Sequence, residues 1–308
     1  MNHAVLKGHL KGHLAERQAA SLTIRRLAPR ADRPGRLLLH RSVDYIRRMT
    51  PSPARPAGLP LSVVVITLNA GAQLGQCLAS VAFADDIVVL DAGSTDSTLD
   101  IALRAGARVT HGEWPGFGIQ KQRAVALARH DWVLCLDADE RVSDPLREAI
   151  VAALDATPRF SAWRMARANR FMGRYLRHGE GYPDWSLRLF HRGHARWSDD
   201  PVHEKVRTEV VIGTLKGDLL HESAESLGAY LAKQNRYTSL QAEELAARGE
   251  NATWAQVALS PLVRFVKFYI FKRGFLDGLP GFVHITIGCF NSMTKYAKLR
   301  ALKACQSD

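Results

Sequence analysis

Short apolar runs alternate with amphipathic segments from residue 61 onward. The run LSVVVITLN is apolar and β-branched throughout, which is typical of a strand buried on both faces. A helical period follows near residues 72–82, and DDIVVLDAG then has the pattern of a second buried strand. The same alternation predicts helices in STDSTLDIALRAGA and IQKQRAVALARH, and strands in RVTHGEW and DWVLCLDADERV. This order predicts an α/β fold with a mainly parallel sheet flanked by helices.

The pattern changes further along the chain. SDPLREAIVAAL predicts one more helix, capped by Ser143 or Asp144, and an aromatic, Arg-rich stretch over 163–211 predicts antiparallel strands and long loops. A helix is predicted again over about 224–248, and residues 254–303 are apolar, aromatic and basic.

Three regions are predicted from these changes of composition. Residues 1–60 are expected to form a basic leader, flexible or weakly helical, that ends in the Pro-rich linker TPSPARPAGLP. Residues 61–222 form the α/β domain, and residues 223–308 form a helical, amphipathic C-terminal region.

The net charge of +12 is confined to the two ends of the chain. Residues 1–60 hold 12 Lys and Arg against 3 Asp and Glu, and residues 261–308 hold 8 against 2. The middle holds 22 basic and 25 acidic residues, so it is slightly acidic. This segregation argues against nucleic acid bound along a folded basic face, and it favours contact of an end with anionic membrane.

Two features favour a cytoplasmic location. No apolar stretch is long enough for a signal peptide core or a spanning helix. The four cysteines form no CxxC pair, which is typical of reduced thiols.

The acidic pair in LCLDADE is the sharpest chemical signal. Asp137 and Asp139 follow a buried strand, where side chains two residues apart would share a face about 6–7 Å apart. Two such carboxylates can hold a divalent cation together with a diphosphate. Acids at a strand end can also be solvated or cap a helix, so the pair is informative only in context.

A second acidic strand end lies in LDAGSTDST. Asp91 leaves an apolar strand and can accept a hydrogen bond from the imide of a uracil or from a ribose. Gly93 and Ser94 allow the backbone to approach a nucleotide closely. On its own, the same loop would serve as a helix N-cap.

Together these phrases resemble family 2 glycosyltransferases, which are inverting nucleotide-sugar transferases of the GT-A fold. The likeness is strongest to the lipopolysaccharide core β-1,4-glucosyltransferase-like subgroup. It covers about residues 61–303 and is carried by VVVITLNA, IVVLDAGSTDST, WPGFGIQKQRAVALA, DWVLCLDADERV, WSLRLFHR, DPVHEKV and FYIFKRGFLDGLPGF.

The resemblance implies a role for each matching position. Residues placed around the nucleotide are Thr67, Asn69, Asp91, Gly93 and Ser94. Asp137 would bind the ribose and diphosphate, and Asp139 would be the direct ligand of Mn²⁺ or Mg²⁺. Lys121 would lie near the donor phosphates. The subgroup commonly has Asn where this chain has Gln122, which weakens a role for that amide.

Inverting transfer also needs a base that removes the proton of the attacking hydroxyl. Family members often place an Asp before an xLRL phrase, which favours Asp184, although its spacing to Arg188 is shorter than usual. Glu204 is the next candidate. His203 could act there too, orient the leaving diphosphate, ligate the metal or simply pack in its loop.

The expected partners are a UDP-sugar donor, a lipid-linked saccharide acceptor and an anionic membrane surface. Four arginines could hold a phosphorylated acceptor, or could line a solvated strand face: Arg164, Arg167, Arg170 and Arg174. The aromatic and basic tail can lie in a membrane interface, pack on the catalytic domain, or do both. The resemblance implies a peripheral enzyme on the inner face of the cytoplasmic membrane.

Two other functions remain open at this point. A haloacid-dehalogenase-like phosphatase also places a DxD after a buried strand, but there the first Asp normally opens the domain, whereas Asp137 follows three strands. A basic adaptor that binds RNA or membrane through its ends would need no catalysis.

Overall fold

Four parallel strands form the first half of a large sheet, and each arises from an apolar run that predicts it. The computed structural model describes residues 59–155, 158–200, 204–223 and 226–304. Apart from its last two residues, the predicted leader lies outside these ranges. The elements of this half are β1 (Leu59–Thr67), α1 (Leu74–Ser80), β2 (Ala84–Asp91), α2 (Thr98–Arg104), β3 (Arg108–His111), α3 (Phe117–Ala126) and β4 (Trp132–Asp137).

Strand β1 lies at the centre of this half and pairs in parallel with β2 and β4, and β3 pairs with β2. Its side chains alternate between two apolar clusters, with Val63 and Val65 in one and Val64 and Ile66 in the other. Each such burial contributes roughly 1.5–3 kcal/mol. The prediction of a strand buried on both faces is confirmed.

The second half of the sheet is mixed and curls back towards β4. Its elements are β5 (Glu140–Val142), α4 (Asp144–Asp155), β6 (Ala162–Phe171), β7 (Arg174–Tyr175), β8 (Asp184–His191) and β11 (Ile212–His221). A separate ribbon pairs β9 (Ala195–Trp197) with β10 (Val206–Thr208). The antiparallel strands expected over 163–211 are therefore present.

The order of strands is β3-β2-β1-β4-β8-β6-β11-β5, so β5 lies at the opposite end of the sheet path from β3. Yet β5 follows β4 after only two residues. The sheet must curl to allow this, and His221 at the end of β11 pairs in register with Glu140 of β5. We call this closure, residues 137–140 together with His221, the seam.

The structure corrects two local expectations. Asp137 and Asp139 do not share a strand face, because β4 ends at Asp137 and the chain turns through Asp139 into β5. The second concerns the possible N-cap in the loop before α2: Ser97 at that position makes no capping bond, and the carboxylate of Asp96 accepts the N–H of Thr98 at 3.0 Å instead.

Three helices follow the sheet: α5 (Leu227–Ala247), α6 (Trp254–Phe265) and α7 (Gly278–Ala304). A capping box between Thr253 and Gln256 begins α6, which continues as a π-helical turn over Val266–Phe271. A short 3₁₀ turn, Gly274–Asp277, then leads into α7, which packs against both α5 and α6. Within the part of the chain that the structure describes, no helix has the length and apolar character needed to cross a membrane.

Candidate active site

The loops after β1 and β2 are bonded to each other at the carboxyl edge of the sheet. The carboxylate of Asp91 is fully buried and accepts the backbone N–H groups of Gly93 and Ser94, both at 2.8 Å. Its other oxygen accepts the hydroxyl of Thr67 at 3.0 Å. These bonds stabilise the charged carboxylate within its own loop. Asp91 therefore fixes the shape of that loop.

Asn69 joins the two loops from the other side. Its side-chain oxygen accepts the N–H of Thr95 at 2.9 Å, and its own N–H donates to the hydroxyl of Ser94 at 2.8 Å. Asn69 has φ +50° and Gly93 has φ +100°, both in the left-handed region that Asn and Gly tolerate. The structure thus brings together all five residues predicted around the nucleotide.

Asp137 lies between two buried cations. Lys121 Nζ is 2.9 Å from one carboxylate oxygen, and Arg188 Nη2 is 2.8 Å from the other. The side chains of Lys121 and Arg188 are 4% and 7% exposed, so both cations depend on nearby carboxylates for stabilisation. The Nζ of Lys121 also lies 4.7 Å from the ring centre of Trp197.

Glu140, which the sequence reasoning did not select, balances this positive charge from behind. It is fully buried, accepts the backbone N–H of Asp137 at 3.0 Å, and receives Arg188 at 2.7 Å and Arg167 at 3.3 Å. Burial by itself lowers the pKa of Arg188, but the charges of Glu140 and Asp137 outweigh it and raise that pKa above its ordinary value. Arg188 therefore stays charged at the floor of the site.

Asp139 faces His221 across the seam. His221 Nε2 is 3.3 Å from the carboxylate, and Nδ1 of the same ring is 2.7 Å from the side-chain oxygen of Asn169. Burial of Asp139 alone would raise its pKa, but the hydrogen bond and charge of His221 lower it to about 2. Asp139 is therefore an ionised carboxylate with almost no solvent contact.

The candidate bases lie in different surroundings. Asp184 is the first residue of β8 and is 38% exposed; its Oδ2 receives Arg167 Nη2 at 2.6 Å and Nε at 2.9 Å. Glu204 is 5% exposed, and its carboxylate lies 3.3 Å from Lys121 Nζ. His203 falls outside the described residues.

These groups surround one cavity of about 990 Å³. Of the predicted site residues, those that line it are Thr67, Lys121, Asp137, Asp139 and Glu204. The predicted site residues that do not line it are Asn69, Asp91, Gly93, Ser94 and Asp184, although Trp185 and Ser186 beside Asp184 do. Aromatic side chains from the end of β6, α5 and α7 also line it: Phe171, Tyr230, Tyr237 and His284. We call the lining formed by these four side chains the aromatic half of the cavity.

The predicted arginine cluster is largely engaged with acids. Arg167 and Arg170 line the cavity, but Arg167 pairs with Asp184 and Arg170 pairs with Glu222. Arg174 donates to the backbone oxygen of Leu276 at 3.0 Å. Arg164 lies over the ring of Trp185. The cluster is therefore a framework of ion pairs and stacked groups rather than an open cationic face.

Comparison with known proteins places this site in a family. Residues 62–212 match the family described as Glycosyl transferase family 2. The lipopolysaccharide core biosynthesis glycosyltransferase LpsC of Rhizobium meliloti (strain 1021) is 31% identical over 256 residues, which span 80% of this chain and 95% of LpsC. The chain belongs to glycosyl transferase family 2. This family membership excludes the two alternatives, a haloacid-dehalogenase-like phosphatase and a basic adaptor without catalysis.

A second relative agrees with the family, and a similar fold occurs among solved structures. An uncharacterized glycosyltransferase of Rickettsia typhi (strain ATCC VR-144 / Wilmington) is 29% identical and covers 79% of this chain and 87% of its own length. The crystal structure of S. aureus TarS in complex with UDP-GlcNAc covers 80% of this glycosyltransferase and 91% of that chain, with 14% identity and a TM-score of 0.41. The α/β architecture predicted from the sequence, with a mainly parallel sheet flanked by helices and a helical C-terminal extension, is confirmed by the strands and helices described above.

Four site residues of the glycosyltransferase were not selected from the sequence: Glu140, Asn169, Arg188 and His221. Glu140 stands inside the DADE phrase and was visible there, but nothing in the phrase shows that its side chain turns inward. His221 lies in GDLLHES, which has no motif spacing to either aspartate. The sequence weakens a role in donor binding for the amide of Gln122. In the structure this amide makes a structural contact, because its Oε1 accepts the N–H of Trp197 at 2.9 Å.

Helix α3, which carries Lys121 in this glycosyltransferase, lies against the loop before Glu204. A Cβ added at Gly118 would be 2.0 Å from the backbone oxygen of Ser198, so helix and loop would have to separate. We expect Gly118→Ala to lower kcat/KM about 100-fold, because a shift of about 1 Å in a catalytic group has that effect. Steady-state kinetics and thermal unfolding of the variant measure this.

Gly75→Ala in α1 is the matched control, because its added Cβ would meet only a side-chain methyl at 3.6 Å. Equal activity of the Gly118 and Gly75 variants would contradict the tight packing of α3 on this loop.

Proposed function

We propose that this glycosyltransferase moves a hexose from a UDP-sugar, with inversion, onto a lipid-linked saccharide of the lipopolysaccharide core type. The observation that carries the proposal is the convergence of Asp137, Asp139 and His221 on one cavity with buried Lys121 and Arg188. The name of the relative LpsC supports the class of acceptor.

The loops around Asp91 are proposed to hold the uridine. Because the carboxylate of Asp91 is occupied by its own loop, we assign it to shaping the backbone that meets the base. Thr67 lines the cavity and reaches Asp91, which connects this loop to the donor side. Asn69 and Gly93 give each of the two loops a residue with left-handed backbone, and the hydroxyl of Ser94 joins the loops by accepting the N–H of Asn69.

The diphosphate is proposed to lie near Lys121 and Arg188. Both cations are buried, so their attraction for an anion is only weakly screened by water. Asp137 holds the two cations in place and can accept from a ribose hydroxyl. Negative charge builds up on the diphosphate as the sugar leaves, and Lys121 and Arg188 would stabilise that charge.

The residues fit a divalent cation at Asp139 and His221. With Asn169 oriented so that its oxygen accepts from Nδ1, Nε2 is the ring nitrogen of His221 that faces the carboxylate of Asp139 and could bind a cation beside it. A cation bound there would supply the positive charge that the hydrogen-bonded imidazole otherwise presents to Asp139. A metal-bound imidazole commonly donates its other N–H to such an oxygen.

Across the described residues, no group of three or more His, Cys, Asp and Glu side chains is arranged to hold a metal. Mn²⁺ or Mg²⁺ would therefore take its remaining ligands from donor phosphates and water, as Mg²⁺ commonly does. When bound, the cation would offset the negative charge that develops on the leaving diphosphate.

We propose Asp184 as the base and keep Glu204 as the alternative. The hydrogen bonds that Asp184 receives from described residues end on Oδ2, and its exposure allows an acceptor hydroxyl to reach Oδ1. Glu204 is the more buried of the two, and its pairing with Lys121 assigns it to holding that cation in place. His203 is kept as a proposal for orienting the diphosphate.

The aromatic half of the cavity is proposed to receive the acceptor saccharide. Phe171, Tyr230 and His284 form a set of mutually contacting rings with centroids 5.3–6.1 Å apart, which offers faces and edges to a sugar. A lipid-linked acceptor places the enzyme at the inner face of the cytoplasmic membrane as a peripheral protein.

The test uses purified enzyme, a panel of UDP-sugars, Mn²⁺ or Mg²⁺, and lipopolysaccharide with a truncated core as acceptor. We expect one UDP-sugar to be consumed at a rate that depends on both acceptor and metal, with inverted configuration of the product by NMR. Asp100→Asn, on the exposed face of α2, serves as an active control variant. If no UDP-sugar is consumed with any acceptor, or if the configuration is retained, the proposal is wrong.

A further inference from the structure

The outward side of the C-terminal helices is apolar and open to solvent. We call residues 254–293, from α6 through the π-helical turn to the middle of α7, the C-terminal hairpin. None of the residues of α6 is fully buried. Large apolar side chains on α6 and the π-helical turn are exposed at helical spacing: Leu259, Leu262, Val263, Val266 and Ile270. This spacing places them along one stripe.

The stripe continues around the tip of the hairpin. Exposed side chains there are Phe271, Phe275, Leu276, Leu279 and Phe282, and Phe271 is 78% exposed. The ring of Tyr269 contacts those of Phe275 and Phe282, with centroids 6.1 Å and 5.8 Å apart. These contacts join the π-helical turn, the 3₁₀ turn and α7 into one ordered surface. Contiguous exposed apolar surface of this kind marks an interaction site.

The charge of the same region is almost entirely positive. Residues 254–304 contain eight Lys and Arg and a single acid, Asp277, which is buried. Lys267, Lys272 and Arg273 lie exposed beside the apolar tip. Over the described ranges, these three side chains take part in no salt bridge with an acid. An apolar stripe flanked by exposed cations is complementary to lipid tails beneath anionic headgroups.

We propose that the C-terminal hairpin inserts shallowly into the interface of a bilayer that contains anionic lipid. A second copy of the chain fits this surface less well, because both copies would bring the same cations to the contact. The proposal rests on the proposed function for one point, which is that the enzyme must reach a lipid-linked acceptor. Its own evidence is the exposed stripe and its charge.

The hairpin is fastened to the wall of the cavity. Asp277 accepts the backbone N–H groups of Arg177 at 2.9 Å and His178 at 2.8 Å. Arg264 pairs with Glu180 on the same loop, and His284 of α7 lines the cavity itself. If the tip inserts into a membrane, the aromatic half of the cavity is therefore held at a fixed orientation to that membrane.

The experiment is co-sedimentation of the full chain with vesicles of phosphatidylcholine, with and without phosphatidylglycerol. We expect strong binding only when phosphatidylglycerol is present. The double variant Leu262→Glu, Phe271→Glu should bind at least about tenfold more weakly, because two exposed apolar groups are lost from the interface. Replacing Lys267, Lys272 and Arg273 by Gln should weaken binding about fivefold for each charge.

Val211→Glu is the matched control, because Val211 is 74% exposed but lies in the turn before β11. It should bind vesicles like the wild type. Equal binding by the wild type and the Leu262, Phe271 double variant would overturn the proposal. So would a wild-type dimer in light scattering that this double variant dissociates, without any binding to vesicles.

Turnover of UDP-sugar with detergent-solubilised acceptor, measured on the same preparations, separates the two proposals. Hairpin variants should keep this turnover. A wild type that binds vesicles but turns over no UDP-sugar would contradict the proposed function, and the proposal of a membrane-binding surface would still hold.

Discussion

Asp139→Asn is expected to lower kcat about a thousandfold, equivalent to roughly 4 kcal/mol of transition-state stabilisation. Asn keeps the shape of the side chain but removes the charge that faces His221 in the seam. The cation would lose its ionised ligand, so the binding of Mn²⁺ in the presence of UDP should weaken in parallel. Kinetics at saturating UDP-sugar and electron paramagnetic resonance of Mn²⁺ measure the two effects.

His221→Ala should show the same pair of losses, since the imidazole is the other half of the site. Thermal unfolding of both variants controls for damage to the fold, and Asp100→Asn controls for the loss of an aspartate elsewhere. Wild-type kcat in Asp139→Asn, with Mn²⁺ binding intact, would show that the carboxylate is structural.

Asp184→Asn is expected to reduce kcat by about 10²–10⁴-fold, the usual contribution of a general base. The amide can still accept from Arg167 but cannot take a proton from the acceptor. The KM for UDP-sugar should change little, because Asp184 does not line the donor side of the cavity. Steady-state kinetics with each substrate varied in turn, over a range of pH, provide the measurement.

Glu204→Gln is the matched variant, because it removes the other candidate carboxylate with equal conservation of shape. It should raise the KM for the donor through loss of the partner of Lys121, and it should leave the pH profile of kcat in place. A larger fall of kcat in Glu204→Gln than in Asp184→Asn would transfer the role of base to Glu204. If Asp184→Glu recovers part of the kcat that Asp184→Asn loses, the carboxylate acts in proton transfer and not only in anchoring Arg167.

The first half of the fold could be predicted from sequence because its signals are local. An apolar β-branched run such as that of β1 is typical of a buried strand, and strands that alternate with helices favour parallel pairing. The clustering of Thr67 and Asp91 followed from the same rule, since parallel strands end at one edge. No residue beyond these short segments was needed.

The seam could not be predicted because it depends on pairing between distant strands. His221 meets Asp139 only because β11 runs beside β6 and then pairs with β5. Nothing in GDLLHES records that register. The inward turn of Glu140 is equally non-local, because it depends on the approach of Arg188 from β8. For the C-terminal hairpin, composition indicated both packing and exposure, and only the structure assigns each to a face.

The closing of the sheet at the seam also bears on when the enzyme can become active during synthesis. His221 is made about eighty residues after Asp139, and long-range pairings of this kind form late in folding. A nascent chain that has emerged only as far as α4 would already hold both loops of the nucleotide side, with the seam still open. The proposed metal site would be complete only after β11 has paired with β5, so a chain that ends before β11 should neither bind Mn²⁺ at Asp139 nor transfer sugar.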